Sequence, residues 1–186
     1  MKKYLSVILG FSMLLQVGCN SNDSIKAATE QSMAQLQQAG INNMENDALF
    51  AAEAASADML QLQLSEAAIA RGVSPEVKTL AQDMQQVHQQ MLTELQALSA
   101  DANLVLPQTL GNAHQEVYKE VTSKEGIGFD LAYIRQVKEQ HDELLKRYED
   151  MAENGVSMEV KQYASRQLPL IRQHVERAEA LENKIE

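Results

Sequence analysis

The stretch GVSPEVKTLAQ, from Gly72 to Gln82, returns as GVSMEVKQYAS, from Gly155 to Ser165, 83 residues later. In both copies a glycine closes an apolar-periodic run, and a serine two residues on offers its side-chain oxygen to cap the next run. A glutamate then stands in the first turn, where the positive end of a helix dipole favours it. Pro75 holds the first helical position of the earlier copy, where its missing N–H costs nothing. The order helix, Gly-Val-Ser turn, helix therefore occurs twice and predicts two helical hairpins.

Outward from these turns, apolar spacings of three and four delimit four long helices at about 48–71, 75–99, 129–153 and 158–185. The seam of the first is Phe50, Ala54, Ala57, Gln61, Leu64 and Ala68, and that of the second is Val77, Ala81, Met84, His88, Met91, Leu95 and Leu98. The third runs Asp130, Ile134, Val137, His141, Leu144, Tyr148 and Met151; the fourth runs Val160, Ala164, Gln167, Ile171, His174, Ala178 and Leu181. Residues 101–128 hold Leu106-Pro107 and a short amphipathic piece near 113–121, more chain than an ordinary loop needs. That length lets the connection travel back along the helices. The expected fold is all-α, a ferritin-like four-helix bundle of two hairpins joined by a long crossover, occupying residues 48–186.

Composition points the same way. With 45% apolar residues but only 4% aromatic, no Trp and three Pro, the chain suits long helices packed by aliphatic side chains better than a β-sandwich. The formal net charge is −10, and without the first eighteen residues 14 bases face 26 acids. Such a surface repels phosphate backbones and anionic lipid alike, so nucleic acid is not an expected partner.

The N-terminus supplies the expected membrane link. Lys2 and Lys3 precede an apolar run from Leu5 to Leu15, too short to span a bilayer, which ends at Gln16-Val17-Gly18-Cys19. This resembles a bacterial lipoprotein signal: residues 1–18 would be removed, and Cys19 would be lipidated and become the first residue. Gln16 stands where such signals usually carry Leu. Asn20 rather than Asp after the cysteine implies, by the same resemblance, an outer-membrane lipoprotein facing the periplasm. Cys19 is the only cysteine, so the domain has no disulfide to rely on in an oxidising compartment. Residues 19–47, rich in Ser, Asn and Gln, read as a tether, with a short helix from 25 to 38 that Ser24 would cap and Gly40 would end.

Each of three seams carries one histidine, and the fourth carries Gln61 with Asp58 one turn before it. At ~1.5 Å per residue from the turns, Gln61, His88, His141 and His174 all fall near mid-helix. They form a candidate polar core layer. One reading is a hydrogen-bonded layer of buried rings, completed by the carbonyl that Pro169 frees at Ser165 and by Tyr133, Tyr148 and Tyr163. The other is a Zn or Cu site made by His88, His141, His174 and Asp58, since neutral imidazole suits both metals. A di-iron site is not supported, because Gln85, Lys138 and Ile171 stand three residues before the histidines where a Glu would be needed. His114 reads as a surface residue and the nine Met as core filler. No catalytic set emerges: Ser65, Ser123 and Ser165 lack the strained turn of a nucleophile elbow.

SPEVKTLAQDM with His88, Leu106-Pro107, FDLAYI at Phe129 with His141, and LPLIRQH at Leu168 with His174 together resemble the bacterial secreted family called domain of unknown function 4142, across residues 48–181. That resemblance implies a ferritin-like fold and an envelope location. It brings no activity. The family commonly has acidic residues in the middle of the first long helix, where this chain has Gln61 and Gln63, and Asp before the second helix's histidine, where Val87 stands. The resulting expectation is a lipid-anchored, non-enzymatic envelope or stress-related accessory protein, with a histidine-based metal-binding protein as the rival.

Overall fold

The computed structural model describes residues 23–185, so the signal segment 1–18 and Cys19 lie outside the described residues. What it describes is all-helical: α1 (Ser24–Gln38), α2 (Glu45–Arg71), α3 (Pro75–Asp101), α4 (Asn112–Thr122), α5 (Gly126–Asn154) and α6 (Met158–Ile185), with no strand among the described residues. Ser74 caps α3 by accepting from Val77 N–H, and Ser157 does the same for α6 with Val160 N–H. Gly72 and Gly155 end the preceding helices for reasons of space rather than φ. A Cβ at Gly72 would stand 2.6 Å from the Ala68 carbonyl oxygen, and one at Gly155 would stand 2.8 Å from that of Met151.

The most extensive helix contacts are α2 with α3 and α5 with α6. Two apolar cores fill the space between these pairs. One gathers Phe50, Met91, Leu95, Tyr148, Met151, Val160 and Tyr163; the other gathers Leu64, Val77, Met84, Phe129, Ile134, Val137 and Leu181. Along the chain, α2 and α6 pass from the first core to the second, while α3 and α5 pass from the second to the first. The connection after α3 also changes core, with Leu104 in the first and Leu110 and Val121 in the second.

Two buried carboxylates lock the pairs together. Asp130, early in α5, accepts from Val73 N–H at 3.1 Å and Ser74 N–H at 2.7 Å in the turn between α2 and α3. Asp47, in the first turn of α2, accepts from Val156 N–H at 3.0 Å and Ser157 N–H at 2.7 Å in the turn between α5 and α6. Each hairpin thus holds the turn of the other, and the two aspartates share the 83-residue spacing of the turns. Both carboxylates are fully buried and sit at a helix N-terminus, where the dipole and charge-assisted bonds favour them.

Three sequence expectations change. The tether assigned to 19–47 includes α1, a docked helix whose Leu36 is fully buried in the first core. Its stripe looks thin because Ser32 stands within it; there the hydroxyl accepts from Val105 N–H at 2.8 Å and donates to the Ala28 carbonyl at 2.9 Å. The cap of α1 is Asp23 rather than Ser24: it accepts from Ile25 N–H at 2.9 Å and, through its other oxygen, from Asn112 N–H at the start of α4. The first long helix begins at Glu45, three residues before the expected start, which brings Asp47 into its first turn. No helix among the described residues is long and apolar enough to cross a membrane.

Removing either clasp strips two backbone N–H groups of a charged acceptor, at a cost of about 2–3 kcal/mol each. Urea unfolding should therefore show Asp47→Ala and Asp130→Ala each less stable by about that amount, with near-additive losses in the double variant because the sites are far apart. Losses under about 0.5 kcal/mol would show that the turns hold without them.

Candidate metal centre

The three histidines lie where the two apolar cores meet. His88 has Met84 of one core before it and Met91 of the other after it; Val137 and Leu144 flank His141, and Ile171 and Ala178 flank His174, in the same way. The helical period therefore turns all three rings inward. None is more than 1% exposed.

The rings converge on one point. His88 Nε2 lies 3.0 Å from His141 Nε2, and His174 Nδ1 lies 3.0 Å from the same His141 nitrogen. One nitrogen from each ring can be chosen so that all three lie within 4.8 Å of one another. Behind the rings stand three oxygens. Asp58 Oδ1 is 2.8 Å from His88 Nδ1, the Val137 carbonyl is 2.6 Å from His141 Nδ1, and Asp83 Oδ2 is 3.7 Å from His174 Nε2.

Proton bookkeeping shows what this arrangement lacks. A carbonyl only accepts, so His141 Nδ1 carries the hydrogen and its Nε2, in a neutral ring, presents a single lone pair. Two ring nitrogens stand at hydrogen-bond distance from that one lone pair. If His88 donates Nδ1–H to the Asp58 carboxylate, its own Nε2 is also a lone pair and the two repel. His174 can donate Nδ1–H to the His141 lone pair, but its own Nε2, 3.7 Å from Asp83 Oδ2, is then left without a hydrogen-bond partner. A cation at the meeting point removes every conflict, because three lone pairs then share one acceptor of electrons while the outer N–H groups face Asp58, Val137 and Asp83. This is the arrangement in which outer partners fix the tautomers of metal-bound histidines.

The donor set fits a borderline metal ion. Two nitrogens each ~2.0–2.1 Å from one zinc at a tetrahedral angle stand ~3.3 Å apart; two of the three separations here are 3.0 Å, and a nitrogen from each ring lies within 4.8 Å of the others. Three neutral imidazoles also suit copper.

The structure brings His88, His141 and His174 together as the sequence pattern requires, but Asp58 takes a different part. Its carboxylate bonds His88 Nδ1, on the ring edge away from the other two histidines, and it is not among the three residues whose nitrogens converge. Gln61 is buried in the layer but donates to Gln140, which sequence reasoning passed over because it lies beside the α5 seam rather than on it. Asp83 escaped notice for the same reason on α3. The tyrosines do not complete the layer: Tyr133 bonds Ser65 and Tyr163 donates to the Met91 carbonyl. Asp58 Oδ2, Gln61 Oε1, Gln140 Nε2 and His174 Nε2 are buried polar atoms with no hydrogen-bond partner among the described protein groups. The expected hydrogen-bonded layer is therefore not satisfied by protein groups alone. His114 is not a plain surface residue either. It is half-buried, with its Nδ1 2.6 Å from Ser56 Oγ, which in turn accepts from Gly111 N–H at the start of α4.

Fold and centre together define a class: a helical protein in which three buried imidazoles from three helices meet between two apolar cores. The chain belongs to the family described as domain of unknown function (DUF4142), whose profile matches residues 24–181. The match begins at α1, in keeping with the docking of that helix. No curated protein and no solved structure matches the chain.

Burial sets the charge states. It pushes His141 well below the usual imidazole range, and any positive charge on His88 or His174 pushes it further. Burial likewise lowers His174, to about 3, aided by any positive charge on His88 and by the charge of Arg177. Asp58 is raised by burial, against the opposing hydrogen bond from His88. The unfolded chain binds protons at these histidines below about 6.5 while the folded chain does not, so stability falls as pH drops from there towards about 3. The raised Asp58 acts in the opposite direction, since its folded form takes a proton first. Metal-free protein should accordingly melt at progressively lower temperature from pH 7 to pH 4. A melting temperature unchanged across that range would contradict two buried neutral rings.

Proposed function

We propose that this protein holds one divalent transition-metal ion, Zn²⁺ or Cu²⁺, through His88 Nε2, His141 Nε2 and His174 Nδ1. The observation that carries the reading is the convergence of three buried ring nitrogens, two of them 3.0 Å from His141 Nε2, whose single lone pair can accept only one full hydrogen bond. Asp58 supplies a buried counter-charge and fixes His88. The ion would add a strong internal cross-link among α3, α5 and α6. An organic substrate cannot reach rings at most 1% exposed, so we read the role as that of a metal-holding accessory protein rather than an enzyme.

The scaffold we propose is a ferritin-like four-helix bundle of α2, α3, α5 and α6. What supports it is the exchange of cores along each helix, the crossed Asp47 and Asp130 clasps, and a connection that returns from one core to the other. We place the protein in the cell envelope, as an outer-membrane lipoprotein held through Cys19 and facing the periplasm, on the strength of the signal-like N-terminus. Two acyl chains or more on Cys19 would give stable attachment, each buried methylene contributing about 0.8 kcal/mol.

Elemental analysis of purified protein loaded with zinc or copper should give one ion per chain. The variant carrying His88→Ala, His141→Ala and His174→Ala should give almost none, and Asp58→Asn should bind about 10–100-fold more weakly. Equal metal content in wild type and the triple variant would overturn the site. Labelled palmitate fed to cells should appear on the wild-type chain and not on Cys19→Ala; an unlabelled wild-type chain would rule out the anchor.

A further inference from the structure

We propose that the seam between α3 and α6 at Asp83 and Arg177 is the port through which the ion of the histidine centre enters and leaves, with Asp83 as its first protein contact and Arg177 as the latch. The proposal rests on the metal-holding reading and adds a route and two residues to it.

The three outer acceptors differ in one respect. Asp58 is 1% exposed and Val137 fully buried, whereas the Asp83 side chain is 32% exposed. Asp83 is therefore the only one of the three through which the centre touches solvent. The ligand it faces is also the odd one. His88 and His141 turn Nε2 inward, but His174 turns Nδ1 inward and leaves Nε2, buried and without a hydrogen-bond partner, 3.7 Å from Asp83 Oδ2. His174 thus bridges the interior and the seam with its two nitrogens. On the Asp58 side the centre is backed by α2, which packs against α1, α3, α4 and α5.

On the outer side, Asp83 is paired with Arg177, whose side chain is 37% exposed. Arg177 also lines a surface cleft of about 420 Å³ between α3 and α6, together with Thr79, Leu80 and Leu181. A half-exposed ion pair of this kind adds little stability and opens readily. With Arg177 swung into the cleft, the Asp83 carboxylate is free to replace a water on an arriving cation next to His174 Nε2. The ion then passes from Asp83 and the outer nitrogen of His174 to the centre that its inward Nδ1 faces. While Arg177 is paired, its positive charge repels the ion and covers the carboxylate. The latch accordingly sets the rate of exchange and leaves the strength of the finished site almost untouched.

Stopped-flow measurements on the purified protein test this, with Zn²⁺ as the ion and a chromophoric chelator to follow uptake and release. Arg177→Ala should speed both uptake and release about fivefold while Kd stays within about twofold. Asp83→Asn should slow uptake. Arg172→Ala is the control: Arg172 is on the same helix but pairs with Glu149 away from this seam, and its loss should leave both rates unchanged. Wild-type rates in Arg177→Ala or in Asp83→Asn would overturn the port. So would Arg172→Ala speeding exchange as much as Arg177→Ala, since that would trace the effect to general loosening of α6. A wild-type protein that takes up no Zn²⁺ would instead overturn the metal-holding reading itself.

Discussion

One hydrogen bond sets the chemistry of the molecule's centre: His141 Nδ1–H to the Val137 carbonyl one helical turn earlier on α5. The carbonyl can only accept, so the proton is fixed on Nδ1 and Nε2 is left as a lone pair in the middle of the protein. Everything around it follows from that constraint. His88 and His174 come in from α3 and α6 to the same lone pair, Asp58 and Asp83 stand behind them, and burial keeps His141 and His174 neutral. The group we propose to bring the three lone pairs together is a cation.

Such a centre survives only in a rigid frame. Burying imidazoles, glutamines and an aspartate between two apolar cores costs stability wherever a polar atom lacks a partner, and Asp58 Oδ2 and His174 Nε2 are among those that do. The frame offsets this at its ends. Asp47 and Asp130 each bind two backbone N–H groups of the opposite hairpin's turn, so neither hairpin can slide along the other without breaking a charged clasp. The duplication is therefore carried by the ends and not by the middle. Shifted by 83 residues, Asp47 falls on Asp130, but His141 corresponds to Asp58, His88 to Ile171 and His174 to Met91.

Much of this was legible in the sequence, and the limits have a physical pattern. Local chemistry was readable: the seams turn inward, Ser74 and Ser157 cap their helices, and the three histidines fall at matching depth because helical rise is regular. Long-range partners were not. In sequence Asp47 reads only as the last residue of the tether, because its partners Val156 and Ser157 lie 109 and 110 residues away. The segment around α1 looked like a tether because Ser32 breaks its stripe, and the two backbone groups that satisfy that hydroxyl include one 73 residues away. Asp58 meets His88 at its outer nitrogen rather than at the point where the three rings converge, since spacing fixes depth along a helix and not which edge of a ring a carboxylate meets.

The central claim is that His88, His141 and His174 share one ion. Anomalous diffraction at the zinc edge, from crystals of the zinc-loaded protein, tests it most directly. The account predicts one peak ~2.0–2.1 Å from His88 Nε2, His141 Nε2 and His174 Nδ1 together. Zinc density confined to His114 or to surface carboxylates, with none between the three rings, would contradict it.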